Sequence, residues 1–179
     1  MDTYKINIEG LDRELRKFPV NDKLDIAAFI MFGDIEMTEV AARELLKRVP
    51  EHDVVVTAEA KGIPLCYEMA RQGCRNYVVA RKSVKVYMGN PIGVTVNSIT
   101  TKNEQKLYLG EDDVNLLNGK RVLLVDDVIS TGESLHAPLE TLVEKTGANI
   151  VGRASVLAEG DAKDRDDIIF LSELPLFFK

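Results

Sequence analysis

An aliphatic run that ends in two acids constrains the fold of this chain more than any other feature. Residues 122–125 are Val-Leu-Leu-Val, Asp126 and Asp127 follow, and residues 130–134 (Ser-Thr-Gly-Glu-Ser) precede a segment with helical periodicity. The pattern predicts a buried strand that delivers two carboxylates beside a loop able to hold a phosphate. A sugar phosphate needs both features, because carboxylates accept hydrogen bonds from its hydroxyls and backbone N–H groups bind its anion.

Strands and helices alternate through the centre of the chain. The predicted strands cover 53–58, 77–80, 121–125 and 150–157, and the predicted helices cover 38–49, 62–72 and 132–145. This order predicts an α/β fold, a mostly parallel sheet flanked by helices on both faces. We expect one domain over 1–179 with its core at 36–160, while residues 1–35 and the C-terminal residues form a small cap, or hood.

A long connection separates the second and third predicted strands. Residues 82–103 are rich in Gly, Asn, Ser, Thr and Lys, with one strand predicted at 93–99. Connections of this length in a compact domain are usually functional or disordered. Because this one joins strands that flank the predicted site, we predict that it is a flexible lid.

Composition excludes several classes of protein. The net charge of −6 weighs against non-specific nucleic-acid binding, which needs a basic surface. No stretch approaches the roughly 20 apolar residues that span a bilayer, and the N-terminus lacks the apolar core of a signal peptide. Cys66 and Cys74 are too few for a disulfide framework and match no zinc spacing, so we expect reduced thiols and a cytoplasmic protein.

Polar residues follow three of the predicted strands. Residues 59–62 (Glu-Ala-Lys-Gly) end the first strand, Arg81 and Lys82 end the second, and Asp126 and Asp127 end the third. Ligands of open parallel sheets bind beyond the carboxyl ends of the strands. One sheet edge would therefore gather cations, two carboxylates and an anion-binding loop, which suits a ligand with phosphate at both ends and a diol between them.

The same motifs resemble those of type I phosphoribosyltransferases. Residues 122–134 resemble the family's phosphoribosyl-pyrophosphate signature, and residues 59–63 resemble the Glu-Ala-Arg-Gly-Phe loop of adenine phosphoribosyltransferases. Residues 79–82 resemble the strand end before the catalytic loop of the adenine and xanthine enzymes. Residues 32–35 are similar to a Phe-Arg-Asp-Ile segment of the adenine enzymes, and residues 97–102 to the xanthine enzymes. The order and spacing of the family are kept throughout.

The resemblance implies a role for each matching residue. Asp126 and Asp127 would bind the ribose hydroxyls, and Asp126 is a candidate ligand for Mg²⁺ that arrives with the substrate. Contacts to phosphoribosyl pyrophosphate are implied for Glu59, Ala60, Lys61, Gly62, Arg81, Lys82, Lys85, Ser130, Thr131, Gly132, Glu133 and Ser134. The base is expected against Ala28, Phe29, Ile30 and Val128. Lys82 and Lys85 are explained equally well as solvated residues, and the Glu133 carboxylate is expected to face solvent.

The implied activity is transfer of ribose 5-phosphate from phosphoribosyl pyrophosphate to a purine base, in purine salvage. Pyrophosphate is released, Mg²⁺ is required, and the family implies a homodimer. Adenine is favoured because of the loop at 59–63. An enzyme specific for xanthine, hypoxanthine or guanine is the alternative, and a pyrimidine enzyme fits the lid and this loop less well.

Some residues depart from the enzyme pattern. Gly33 replaces an arginine, the lid contains no acid between Lys82 and Asn103, and residues 156–161 resemble purine-operon repressors. A regulator that binds phosphoribosyl pyrophosphate without turnover therefore remains an alternative. His136 follows the predicted phosphate loop within a helix, where a structural histidine is the more common case.

Overall fold

The computed structural model describes residues 2–96, 104–130 and 136–179. The strands are β1 (Thr3–Ile8), β2 (Leu11–Asn21), β3 (Leu24–Ala27), β4 (Val54–Ala58), β5 (Tyr77–Ala80), β6 (Ile92–Val96), β7 (Gln105–Leu109), β8 (Arg121–Ser130), β9 (Asn149–Glu159), β10 (Ile169–Leu174) and β11 (Phe177–Phe178). The α-helices are α1 (Ile35–Leu46), α2 (Ile63–Gln72), α3 (Glu111–Leu117) and α4 (His136–Glu144), and short 3₁₀ helices cover Val86–Met88 and Gly160–Asp164.

A five-stranded parallel sheet in the order β10-β9-β8-β4-β5 forms the core. Side chains alternate across β8: Leu123 and Val125 pack with α1 and α2, while Val122 and Leu124 pack with α4. Because this strand is buried on both faces, its aliphatic residues run without interruption. The predicted α/β fold with helices on both faces of the sheet is confirmed.

The N-terminal strands form the predicted hood, an antiparallel sheet in the order β1-β2-β3-β11. Its apolar residues Ile6, Ile8 and Leu15 belong to the same buried cluster as α1. Arg13 of the hood also donates to Asp34 at 2.7 Å, and this carboxylate accepts the N–H of Met37 to cap α1. The Arg13 guanidinium holds the pKa of Asp34 below its usual range, and the pair fastens the hood to the core.

Helix α1 lies three residues earlier at each end than the helix predicted over 38–49. The cap at Asp34 accounts for the early start. Val49 has the apolar spacing of the helix, but Pro50 disfavours a helical backbone at the residue before it.

The C-terminal residues divide between the two sheets. Strand β10 pairs in parallel with β9, so the core sheet continues past the expected boundary at residue 160, and only β11 joins the hood. Strand β7 and helix α3 were not predicted; β7 pairs with β6 in a separate antiparallel ribbon. The connection at 82–103 thus contains a 3₁₀ turn and β6, while residues 97–103 lie outside the described part.

Candidate active site

A cavity of about 410 Å³ lies between the carboxyl ends of β4 and β8 and the hood. We call it the strand-end cavity. It is lined by Ile26, Ala27, Ala28, Phe29, Glu59, Ala60, Lys61, Lys82, Asp126, Asp127, Val128, Ser130, Glu159 and Leu174. Of the ten predicted sugar-phosphate residues that the structure describes, seven line this cavity, together with the predicted base residues Ala28, Phe29 and Val128.

Two adjacent carboxylates of β8 form the acidic wall of the cavity. They lie within the strand rather than after it, because β8 continues to Ser130. Asp126 Oδ1 accepts the N–H of Asp127 at 2.8 Å, and Asp127 is only 2% exposed. Lys61 Nζ lies 3.2 Å from Asp127 Oδ2 without hydrogen-bond alignment, and this oxygen has no hydrogen-bond partner among the described residues. A buried acceptor of this kind suits a hydroxyl donor.

The turn between β4 and α2 presses directly against the acidic wall. Gly62 is the N-cap of α2, and a Cβ added to it would lie 2.7 Å from Thr57 Oγ1 and 3.0 Å from Asp126 Oδ1. Glycine is therefore required here for close approach, and it places Lys61 opposite Asp127.

Arg81 does not line the cavity; its guanidinium is paired with Glu59, which does. Arg81 Nε donates to Glu59 Oε1 at 2.5 Å, and the Lys82 N–H donates to the same oxygen at 3.1 Å. Arg81 Nη1 donates to the Tyr87 hydroxyl at 2.6 Å. The guanidinium holds the pKa of Glu59 below its usual range, and Glu59 in turn raises the pKa of Arg81. The ion pair therefore persists at neutral pH.

The end of the cavity under the hood is mainly apolar. Ile30 lies outside it and is 49% exposed, unlike the neighbouring Phe29, which is 4% exposed. The lining also includes Ile26 and Ala27 of β3 and Leu174 of β10, which the local sequence pattern does not predict. The pattern also gives no sign of the bond from Ser130 Oγ to Glu159 Oε1 at 2.8 Å, because this bond depends on the pairing of β8 with β9.

The remaining predicted residues lie elsewhere. Lys85 is not part of the cavity lining, although its charge helps to lower the pKa of Glu59. Thr131, Gly132, Glu133 and Ser134 lie outside the described residues, as does the side chain of His136. Within residues 2–96, 104–130 and 136–179, no group of three or more His, Cys, Asp and Glu side chains could hold a metal ion. No helix in these ranges is both long and apolar enough to span a membrane.

Comparison with known proteins identifies the family. The profile of the phosphoribosyl transferase domain matches residues 31–175. The chain belongs to the phosphoribosyltransferase family. It is therefore an enzyme of pentosyl transfer, as the motifs predicted. The hypoxanthine/guanine phosphoribosyltransferase of Methanococcus voltae is 33% identical over 163 residues, which cover 87% of this chain and 83% of that protein. The adenine phosphoribosyltransferase of Rhodospirillum rubrum is 27% identical, with 90% and 92% covered.

Solved structures share the fold of this phosphoribosyltransferase. The adenine phosphoribosyltransferase of Thermoanaerobacter pseudethanolicus superposes with a TM-score of 0.71 at 22% identity, over 89% of this chain and 95% of that one. The Trypanosoma brucei enzyme, solved with AMP, pyrophosphate and ribose-5-phosphate, gives a TM-score of 0.66 at 18% identity, with 87% and 73% covered.

Proposed function

We propose that this phosphoribosyltransferase transfers ribose 5-phosphate from phosphoribosyl pyrophosphate to a purine base and releases pyrophosphate. One observation carries the proposal: Asp126, Asp127 and Lys61 line the same cavity as the apolar hood residues Ala28 and Phe29. The polar end suits a charged sugar and the apolar end suits a flat heterocycle. A single cavity would therefore hold both reactants side by side.

The proposed reaction joins a ring nitrogen of the base to C1 of the ribose as pyrophosphate leaves. Its transition state has oxocarbenium character, so positioning and fixed charges supply most of the rate enhancement. Asp126 and Asp127 would accept the ribose hydroxyls. Lys61 is 52% exposed, so its ammonium can turn from Asp127 towards the leaving pyrophosphate. The hood and the connection at 82–103 would exclude water, which competes with the base for the activated sugar.

We also propose that Mg²⁺ binds together with the pyrophosphate group of the substrate. Asp126 and Asp127 present carboxylate oxygens to the cavity, and Mg²⁺ prefers such ligands. Asp126 is the proposed protein ligand. The ion would offset the negative charge that develops on the leaving group.

Adenine is the first candidate base, because residues 59–63 resemble the loop of the adenine enzymes. Hypoxanthine or guanine is the second candidate. It is favoured by relatives at 33% to 36% identity that are named hypoxanthine/guanine phosphoribosyltransferases. Adenine and the 6-oxopurines differ in the hydrogen-bonding groups at positions 1 and 6 of the ring, so one pocket should discriminate between them strongly.

Turnover with a panel of bases tests this function. The protein is incubated with phosphoribosyl pyrophosphate, Mg²⁺ and one of adenine, hypoxanthine, guanine, xanthine or orotate, and nucleotide formation is measured. We expect turnover with a purine, with kcat/KM for adenine about 100-fold above that for the others. If hypoxanthine or guanine is turned over in preference to adenine, the second candidate becomes the assigned base. Tight substrate binding without nucleotide formation from any base would contradict the enzymatic proposal and favour the regulator.

We also propose a homodimer. Phe32, Ile35, Tyr67 and Tyr77 are 54%, 72%, 50% and 43% exposed. The first three line one shallow depression, and the rings of Tyr67 and Tyr77 lie 5.7 Å apart. A contiguous exposed apolar surface of this kind favours burial against a partner, here a second copy of the chain.

Sedimentation velocity tests the dimer. We expect the wild-type protein to have a mass of twice the 19.9 kDa of one chain. Ile35→Lys should raise the dissociation constant of the dimer by about 100-fold or more, because the variant would bury an unpaired charge. Lys47→Glu, on an exposed residue just beyond the same helix, is the control. A monomeric wild-type protein, or an Ile35→Lys variant that dimerises normally, would contradict the proposal.

Both free thiols, Cys66 and Cys74, fit the cytoplasmic location that we propose.

A further inference from the structure

Glu59 and Arg81 occupy equivalent positions on neighbouring strands. Each is the first residue after its strand, and the parallel pairing of β4 with β5 places Ala58 beside Ala80. The N–H of Glu59 donates to the carbonyl of Ala80 at 3.0 Å. The two charged side chains therefore leave the sheet edge side by side, where they form the 2.5 Å ion pair.

The pair is held from several directions. The backbone of Arg81 exchanges two hydrogen bonds with Tyr108 of β7, of 2.9 and 2.8 Å. Tyr87, on the 3₁₀ turn of the connection, accepts from Arg81 Nη1. Glu59 also accepts the backbone N–H of Lys82, whose side chain lines the cavity. One carboxylate thus fixes both a guanidinium and the backbone that carries the next cation.

A carboxylate cannot by itself stabilise pyrophosphate, because the two anions repel each other. Glu59 nevertheless lines the strand-end cavity beside Lys61 and Lys82. Its charge is offset by Arg81, whose Nη2 has no hydrogen-bond partner among the described residues. The carboxylate therefore makes sense as a support for cations rather than as a ligand of the substrate.

We infer that Glu59 is a positioning residue for the pyrophosphate group. It holds the Arg81 guanidinium beside the cavity, and it holds the backbone of Lys82, whose side chain lines the cavity. This inference rests on the proposed function, and it replaces the direct substrate contact that the resemblance implied for Glu59. Tyr87 is a second support, which ties the same guanidinium to the connection at 82–103.

Steady-state kinetics of Glu59→Gln test the inference. Glutamine keeps the size and one acceptor oxygen but removes the charge. We expect KM for phosphoribosyl pyrophosphate to rise about tenfold, the usual scale for loss of a residue that orients a ligand-binding group. The KM of Glu59→Gln for the base should stay unchanged. Tyr87→Phe, which removes one hydrogen bond to Arg81, should raise KM for phosphoribosyl pyrophosphate about threefold. Glu51→Gln, which removes the exposed partner of Arg121 outside the cavity, is the matched control and should have no effect.

A double-mutant cycle with Arg81→Ala separates positioning from direct binding. If Glu59 acts through Arg81, then Glu59→Gln should no longer raise KM in the Arg81→Ala background, where it removes a carboxylate that Arg81 does not offset. The same tenfold rise in both backgrounds, or an equal rise in the KM of both substrates, would overturn the inference. Absence of turnover by the wild-type protein would instead overturn the proposed function, so the two failures are distinguishable.

Discussion

Replacing Asp126 and Asp127 together by asparagine is expected to abolish binding of phosphoribosyl pyrophosphate and to lower kcat/KM by about 10³-fold. Each carboxylate would accept a charge-assisted hydrogen bond from a ribose hydroxyl, and such bonds contribute about 1.5 to 3 kcal/mol each. Isothermal titration with the Mg²⁺ complex of phosphoribosyl pyrophosphate measures the binding, and the turnover assay measures the rate.

The folded protein should survive this change. The amide oxygen of an asparagine at 126 can still accept the N–H of Asp127 that Oδ1 accepts at 2.8 Å. The matched control is Asp166→Asn with Asp167→Asn, another adjacent pair of acids, which is exposed and outside the cavity. Unchanged substrate binding by the double variant at 126 and 127 would remove both residues from the site.

Gly62→Ala is expected to lower kcat/KM by about 100-fold. The new Cβ would lie 2.7 Å from Thr57 Oγ1 and 3.2 Å from Asp126 Cα. Since Asp126 belongs to a central strand of the core sheet, the turn that carries Lys61 must move instead. A displacement near 1 Å in an active site costs about 100-fold in rate. Overpacking should also lower the free energy of unfolding by about 1 to 3 kcal/mol.

Gly119→Ala is the control for the loss of stability. No atom lies within 4 Å of a Cβ added to Gly119, but its φ of +72° makes alanine unfavourable by about 1 to 2 kcal/mol. This variant should therefore unfold more easily and yet keep normal kcat/KM. If Gly62→Ala retains full activity, the turn tolerates a side chain and the close approach to Asp126 is not required. Chemical denaturation and the turnover assay give the two quantities for each variant.

Much of the fold could be predicted because the residue types within each core strand indicate that the strand is buried. The aliphatic residues at 122–125 are buried on both faces of the sheet, and a short uninterrupted apolar run is typical of such a strand. Strand β7 and helix α3 were missed, because β7 is stabilised by pairing with β6 and α3 has only seven residues. Strand β10 was assigned to the hood because nothing in its own residues shows that it pairs with β9.

The placement of the acidic pair and of Lys61 at one sheet edge could be predicted from the sequence alone. Asp126 and Asp127 follow the aliphatic run at 122–125, and Lys61 follows the largely apolar run at 54–58, so their position at a sheet edge follows from local pattern. Their partners do not follow in the same way. The bond between Ser130 and Glu159 joins residues of two strands that only the sheet order makes neighbours.

The run from Val122 to Ser130 by itself determined that a strand carries two acids to a sheet edge, since periodicity and residue type depend only on neighbours in the chain. Only the tertiary structure decided that Glu59 pairs with Arg81 and that residues of β3 and β10 line the cavity beneath the hood. The physical reason is that ion pairs and packing depend on which segments meet in space. The order of the strands in the sheet and the packing of the hood against the core determine which segments are in contact.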